Sequence, residues 1–189
     1  MRFIVFSLIG LITFGSHTSG ALVLKNWGLD NAEENSHINA AKAWQITEGK
    51  KSIVVAVVDT GVDPRHPDLK DNLWHKPGSW NEYGYDFVEK HTNPIDLNGH
   101  GTHIAGIIGA TAQSGVGASG VARHVSIMVL RCMDPSDEKA SLDNCVKAID
   151  YAIANGANII NFSAGGTDFR GIERNIIERA ANKGILFCK

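Results

Sequence analysis

A run of six apolar, mostly β-branched residues at positions 53–58 constrains the fold more than any other feature of the chain. A continuous run of this length is typical of a strand that is buried on both faces of a parallel sheet. Similar short runs occur at residues 125–130 and 159–162, and another begins at Ile185. These four runs predict four strands of one sheet.

Between the predicted strands, apolar residues recur at the three- and four-residue spacing of helices. One helix is predicted to begin at His100, and two more over residues 142–153 and 172–181. The apolar residues of the first helix are Ile104, Ile107 and Ile108. Strands that alternate with helices predict an α/β fold with a doubly wound parallel sheet, whose catalytic groups gather at the carboxyl ends of the strands.

The amino terminus has the pattern of a secretory signal peptide. A basic start, Met1-Arg2, precedes an apolar run at residues 3–14 and small or polar residues at 15–21. The run is shorter than the roughly 20 residues of a membrane-spanning helix. We therefore expect residues 1–20 to be removed, leaving a secreted protein, extracellular or periplasmic, without a membrane anchor.

Charge and cysteine content limit the partners and the compartment. The formal net charge of −2, without Lys/Arg clusters, gives no electrostatic reason to expect nucleic acid or an anionic membrane as a partner. In an exported chain, Cys132 and Cys145 are candidates for a disulfide around an acidic, polar segment. Cys188 is predicted to be a small buried residue of the last strand rather than a catalytic thiol.

Two residues stand where acid–base chemistry needs them. Asp59 directly follows the apolar run 53–58, and His100 lies between glycines at the start of a predicted helix. Each signal alone also suits a simpler interpretation, an Asx turn or an exposed histidine. Together they match a general base oriented by a carboxylate, in the chain order Asp then His.

Four stretches resemble the subtilase family of serine endopeptidases, and the resemblance extends from about Trp44 onward. They are VVDTGVD at 57–63, HPDL at 66–69, HGTHIAG at 100–106 and NFSAGG at 161–166. The resemblance implies a subtilisin-like sheet and hydrolysis of protein or peptide substrates without a cofactor. It also implies that Asp59 orients the general base His100. The residues that it assigns to substrate binding are Ser163, Ala164 and Gly165.

The chain departs from the family pattern in three places. No Gly-Thr-Ser-x-Ala segment, which carries the family's catalytic serine, occurs in the sequence, and the Asn expected after the strand at Ile185 is missing. We therefore expect residues 21–189 to be the N-terminal part of a peptidase domain, with a sheet that is incomplete at its C-terminus and without activity on its own. Asp68 resembles a calcium ligand of many subtilases, but the loop at 111–115 lacks the Asn that would help to complete that site.

Two alternatives from other functional classes remain. The first is a noncatalytic pseudo-protease, whose groove at residues 163–165 binds peptides without cleaving them. The second is a metal-dependent hydrolase that uses Asp59, Asp63, His100 and His103. The spacing of the two histidines differs from the H-E-x-x-H pattern of zinc hydrolases.

Overall fold

A computed structural model describes residues 26, 28–29, 37–113, 117, 119–134, 138–163 and 170–189. In these residues the chain forms a five-stranded parallel sheet in the order β2-β3-β1-β4-β5, with helices on both faces. The predicted doubly wound α/β fold is confirmed. The strands are β1 (Val54–Asp59), β2 (Gly84–Asp86), β3 (Ser126–Arg131), β4 (Ile159–Phe162) and β5 (Leu186–Cys188). The helices are α1 (Ala40–Trp44), α2 (His100–Gly109), α3 (Glu138–Ala154) and α4 (Arg170–Asn182), with a 3-10 turn at Lys70–Asn72.

The central strand β1 contains five of the six residues of the apolar run at positions 53–58. It pairs in parallel with β3 on one side and β4 on the other, so neither edge is exposed. Its side chains alternate between two cores because successive residues of a strand point to opposite faces. The chain adds β3 on one side of β1 and then β4 on the other. The carboxyl end of β1 therefore lies where the strand order reverses, a common position for sites in such sheets.

The two faces of the sheet carry different cores. On one face, α3 and α4 pack against the sheet; the buried residues that they contribute are Cys145, Ala148, Ile149, Ala152, Ile176 and Ala180. On the other face, α2 packs through Ala105 against Val57, Ile127 and Val129. The face that carries α2 is the one that matters for the site, because α2 begins at His100.

The predicted strands lie within one residue of the observed ones, and α2 begins at His100 as predicted. Besides the 3-10 turn at Lys70–Asn72, two elements were not predicted. α1 is a single short turn of helix, and β2 has only three residues without an apolar run. A buried ion pair helps to fix β2, because Arg131 Nη1 in β3 lies 2.6 Å from Asp86 Oδ2 in β2. The attraction between Arg131 and Asp86 offsets the free-energy cost of removing each charge from water.

α2 approaches the sheet through its small residues, and Ile107 of the same helix is 46% exposed. A methyl group added at Gly109 would lie 2.9 Å from Val125 Cγ2, which shows how close this helix lies to the sheet. Cys188, predicted to be buried, is an exposed free cysteine, because β5 pairs only with β4 in the described residues.

The structure joins Cys132, just after β3, to Cys145 of α3 in a disulfide. Both cysteines are buried in the core beneath α3. The segment predicted as a signal peptide, residues 1–20, lies outside the described residues. None of the helices in the described part of the chain has the length and apolar character to cross a bilayer.

We predict that the Cys132→Ala/Cys145→Ala variant has a free energy of unfolding lower by about 2–4 kcal/mol, because the disulfide restricts the unfolded chain. The cross-link spans 13 residues. Urea denaturation of both proteins under non-reducing conditions measures the difference. Cys188→Ala is the control, since this cysteine is exposed and unpaired. Equal stability of the double variant and the control would contradict the prediction.

Candidate active site

Asp59 and His100 meet at the carboxyl end of β1. His100 Nδ1 lies 2.7 Å from Asp59 Oδ1, which is hydrogen-bonding distance. The Asp59 side chain is fully buried, whereas 47% of the His100 side chain is exposed. The carboxylate therefore sits behind the ring, and the ring remains open to a reacting group. This is the arrangement of a histidine oriented by a carboxylate.

The buried carboxylate has few other partners. Asp59 Oδ1 also accepts a hydrogen bond from the backbone N–H of Thr60 at 2.7 Å. Asp59 Oδ2 has no hydrogen-bond partner among the described residues. An ionised carboxylate in a protein interior needs a compensating partner. The bond to His100 therefore contributes to the stability of this buried group as well as to the orientation of the ring.

Two glycines allow the loop after β1 to approach the start of α2. Gly61 has φ 110°, a left-handed conformation that glycine adopts readily. A Cβ added at Gly101 would lie 2.1 Å from the carbonyl oxygen of Gly61, so only glycine fits at this contact. The contact brings the residue after His100 next to the loop that follows Asp59. Close backbone packing is therefore a condition for the meeting of the two side chains.

A second carboxylate, Asp96, was missed by the sequence analysis. Asp96 Oδ1 accepts hydrogen bonds at 2.9 Å from Thr60 Oγ1 and from the backbone N–H groups of Asn98 and Gly99. Asp96 Oδ2 accepts from the Thr102 backbone N–H at 2.9 Å and from Thr102 Oγ1 at 2.6 Å. An acidic residue just before a predicted helix start was the available signal, because such residues often cap helices.

Asp96 is ionised at neutral pH. Burial of the side chain would raise the pKa of Asp96, but hydrogen bonds donated by Thr102, Gly99 and Asn98 outweigh burial and lower this pKa below its ordinary value. Donated hydrogen bonds stabilise the charged form of a carboxylate. Asp96 therefore accepts hydrogen bonds with both oxygens and donates none.

The residues predicted to bind substrate are described only in part. Ser163 directly follows β4 and is half-buried, at the edge of the sheet where Asp59 ends β1. Its Oγ accepts a hydrogen bond from Asn161 Nδ2 at 2.8 Å. Ala164 and Gly165 lie outside the described residues. The position of Ser163 is compatible with substrate binding beside the Asp–His pair.

The predicted metal ligands do not form a cluster. The described residues contain no group of three or more His, Cys, Asp or Glu side chains that could hold a metal ion. Asp68 is buried. It lines a cavity of about 580 Å³ beside α2 together with Asp63 and His103.

A parallel α/β sheet with an Asp–His pair at the end of its central strand is an architecture of serine hydrolases. A family model described as the subtilase family matches residues 50–188. The chain belongs to the subtilase family, whose members are serine endopeptidases.

Two similar proteins carry protease names. The thermophilic serine proteinase of Bacillus sp. (strain AK1) is 38% identical over 142 residues, which are 75% of this chain and 33% of that protein. Thermitase of Thermoactinomyces vulgaris is 37% identical over 147 residues, which are 78% of this chain and 49% of thermitase. The chain thus spans a third of one relative and about half of the other.

Solved structures agree with the fold. A protein described as a protease from Pseudoalteromonas arctica PAMC 21717 superposes with a TM-score of 0.71 at 24% identity, covering 85% of this chain and 55% of that one. A lanthipeptide protease superposes with a TM-score of 0.60 at 26% identity, covering 76% of this chain and 40% of that one. The first likeness, at its low identity, bears on the fold alone.

We predict that Gly101→Ala lowers the free energy of unfolding by about 1–3 kcal/mol, because its methyl group would overlap the Gly61 carbonyl and force the loop away from α2. Urea denaturation measures this change. Gly106→Ala is the matched control: it lies in the same helix, and an added Cβ there meets no atom within 4 Å. The control should be as stable as the parent chain or slightly more so. A Gly101→Ala variant as stable as the control would refute the close contact.

Proposed function

We propose that this chain supplies the Asp and His of a serine endopeptidase triad, with Asp59 as the orienting carboxylate and His100 as the general base. The observation that carries the proposal is the 2.7 Å contact between Asp59 Oδ1 and His100 Nδ1. The burial of Asp59 supports it, since a buried acceptor holds the ring in one tautomer and stabilises the imidazolium. Membership in the subtilase family gives the reaction class.

In the proposed reaction, Nε2 of His100 removes the proton of a serine hydroxyl while Nδ1–H stays bonded to Asp59. The serine oxygen attacks the carbonyl carbon of a peptide bond. The imidazolium then gives its proton to the departing amine, and an acyl-enzyme forms. Water then attacks the carbonyl carbon of this ester while His100 takes a proton from the water. The imidazolium returns a proton to the serine oxygen, which releases the acid and restores the serine. The exposed face of His100 allows both the serine and water to reach the ring.

The substrates we propose are proteins or peptides, bound along the carboxyl edge of the sheet beside β4. Ser163 lies there in half-buried position, and the resemblance to the subtilase groove adds Ala164 and Gly165. All the proposed chemical steps use side chains and water, so the reaction needs no cofactor.

These 189 residues contain no recognisable segment for the catalytic serine, since no Gly-Thr-Ser-x-Ala sequence occurs among them. Ser163 is a weak candidate for the nucleophile, because its Oγ bonds Asn161 rather than His100 in the described structure. We therefore propose that residues 1–189 alone do not hydrolyse peptide bonds.

We expect that a chimera of this chain with a C-terminal subtilase segment that carries the Gly-Thr-Ser-x-Ala sequence hydrolyses a peptide amide. His100→Ala should lower its kcat by about 10⁶-fold and Asp59→Asn by about 10⁴-fold, which are the losses known for triad residues of subtilisin and of other serine proteases. The double variant should be no worse than His100→Ala alone, because triad members act as a unit. Initial rates on a chromogenic peptide measure these effects.

His103→Ala is the matched control in this experiment. It removes the same side chain from the same helix one turn later, where the residue is exposed. Its activity should stay within a few-fold of the parent chimera. Loss of activity with His103→Ala, restored by added Zn²⁺, would instead favour the metal-dependent alternative. Full activity of His100→Ala would refute the proposed general base.

The missing serine segment favours a second candidate, a noncatalytic subtilase that binds peptides without cleaving them. A fluorophosphonate probe, which reacts with activated serines, distinguishes the candidates when applied to residues 1–189. Labelling would show an active serine within the chain and exclude the noncatalytic function. A chain that is unlabelled but binds peptides would support it.

We also propose that the chain is exported and acts outside the cytoplasm. The signal-like pattern of residues 1–20 supports export. The disulfide between Cys132 and Cys145 is consistent with an oxidising compartment. Amino-terminal sequencing of protein recovered from the medium or the periplasm tests the proposal; a mature protein that still begins at Met1 would contradict it.

A further inference from the structure

Two threonine hydroxyls connect Asp96 to the loop that follows Asp59. Thr60 Oγ1 donates to Asp96 and accepts from the Gly101 backbone N–H at 3.0 Å. Thr102 Oγ1 also donates to Asp96, and it accepts from the Asp63 backbone N–H at 3.0 Å. Both bridges therefore join the loop after β1 to the first turn of α2.

Both bridges depend on Asp96 as a hydrogen-bond acceptor. Each hydroxyl has a single proton, and the N–H groups of Gly101 and Asp63 can only donate. Each threonine must therefore direct its own proton to an acceptor, and for both of them that acceptor is Asp96. A carboxylate meets this need with both oxygens, whereas a side-chain amide meets it with only one.

Asp96 also replaces a missing helix cap. The N-cap residue of α2 is Gly99, which has no side chain to accept a hydrogen bond. Asp96, three residues earlier, accepts from the Thr102 backbone N–H in the first turn. Its negative charge lies near the positive end of the helix dipole. The carboxylate thus fixes the start of α2, where His100 is the first helical residue.

The same network reaches Asp59 directly. The backbone N–H of Thr60 donates to Asp59 Oδ1, the oxygen that bonds His100. The Thr60 hydroxyl meanwhile bonds Asp96 and Gly101. A movement of Thr60 would therefore change the position of the Asp59 acceptor and of the helix start together.

We propose that Asp96 is a positioning residue that holds Asp59 and His100 at hydrogen-bonding distance by tying the loop after β1 to the start of α2 through Thr60 and Thr102. None of its hydrogen bonds goes to the ring of His100, and it acts through backbone placement. The inference deepens the proposed function and depends on the Asp–His pair described there.

The test reads the tautomer of His100 directly. In the chain labelled with 15N-histidine, the two ring nitrogen shifts are read through the carbon-bound ring protons at a pH where the ring is neutral. The parent chain should hold its proton on Nδ1, because this nitrogen donates to Asp59. Asp96→Ala should convert His100 to a mixture of the two tautomers. Unchanged ring shifts in a folded Asp96→Ala variant would overturn the inference.

Thr60 provides a second, milder test in case Asp96→Ala does not fold. Thr60→Val removes the bridging hydroxyl while keeping the side-chain volume, and Thr60→Ser restores the hydroxyl. Thr60→Val should give the tautomer mixture, and Thr60→Ser should return the ring to the Nδ1–H form. The same ring shifts in both variants would contradict the inference.

Asn72→Ala separates positioning from ordinary stabilisation of α2. Asn72 Nδ2 donates to the carbonyls of Gly109, at the far end of the same helix, and Arg123. Its loss should lower the melting temperature and leave the His100 tautomer unchanged. If Asn72→Ala shifts the tautomer as much as Asp96→Ala, then Asp96 only stabilises the helix.

Failure of the proposed function has a different signature. Asp59→Asn should disturb the tautomer whatever Asp96 does, because the side-chain amide can donate a hydrogen bond to Nδ1 instead of accepting one from it. A parent chain without a preference for Nδ1–H, or no response to Asp59→Asn, would count against the Asp–His pair and therefore against the proposed function. A normal response to Asp59→Asn without a response to Asp96→Ala would count against the positioning role alone.

Discussion

The fully buried carboxylate of Asp59 is the constraint on which the site depends. Placing a charge at the end of a strand that is buried on both faces costs several kcal/mol unless it is paired. The chain offsets this cost with one backbone N–H and one imidazole, and leaves the second oxygen without a partner in the described residues. The fold must therefore bring α2 to this point, and the glycine contact between Gly61 and Gly101 makes that approach sterically feasible.

Most of the sheet could be predicted from the sequence because burial on both faces produces continuous apolar runs. β4 was placed at its observed limits, and β1 and β3 were placed within one residue. β2 could not be found in the same way, since it has three residues and depends on pairing with β3 and on the ion pair of Asp86 with Arg131. The exposed position of Cys188 was missed for a related reason: the local pattern does not show which side of an element its neighbours cover.

The site was predictable where chemistry and position coincided in short segments. Asp59 follows an apolar run, and His100 opens a helix between glycines, so local sequence identified both. The family pattern around them made the pairing specific. Asp96 did not stand out, because its importance comes from five hydrogen bonds. Two of them come from hydroxyls whose other partners lie in the first turn of α2 and in the loop after β1. Such convergence is a property of the folded chain and has no local signature beyond an acidic residue near a helix start.

The two carboxylates of this region, Asp59 and Asp96, differ in how many hydrogen bonds their oxygens accept. Asp59 has one oxygen bonded to the ring and to the Thr60 N–H, and its other oxygen has no hydrogen-bond partner in the described residues. Asp96 is saturated with donors on both oxygens, which lowers its pKa and makes it a fixed anion. In the proposed function, the group that stabilises the charge developing on His100 and the group that fixes the backbone have different requirements. Dividing these requirements between two residues leaves Asp59 sparsely bonded, while the hydrogen bonds of Asp96 hold the loop after β1 against the start of α2.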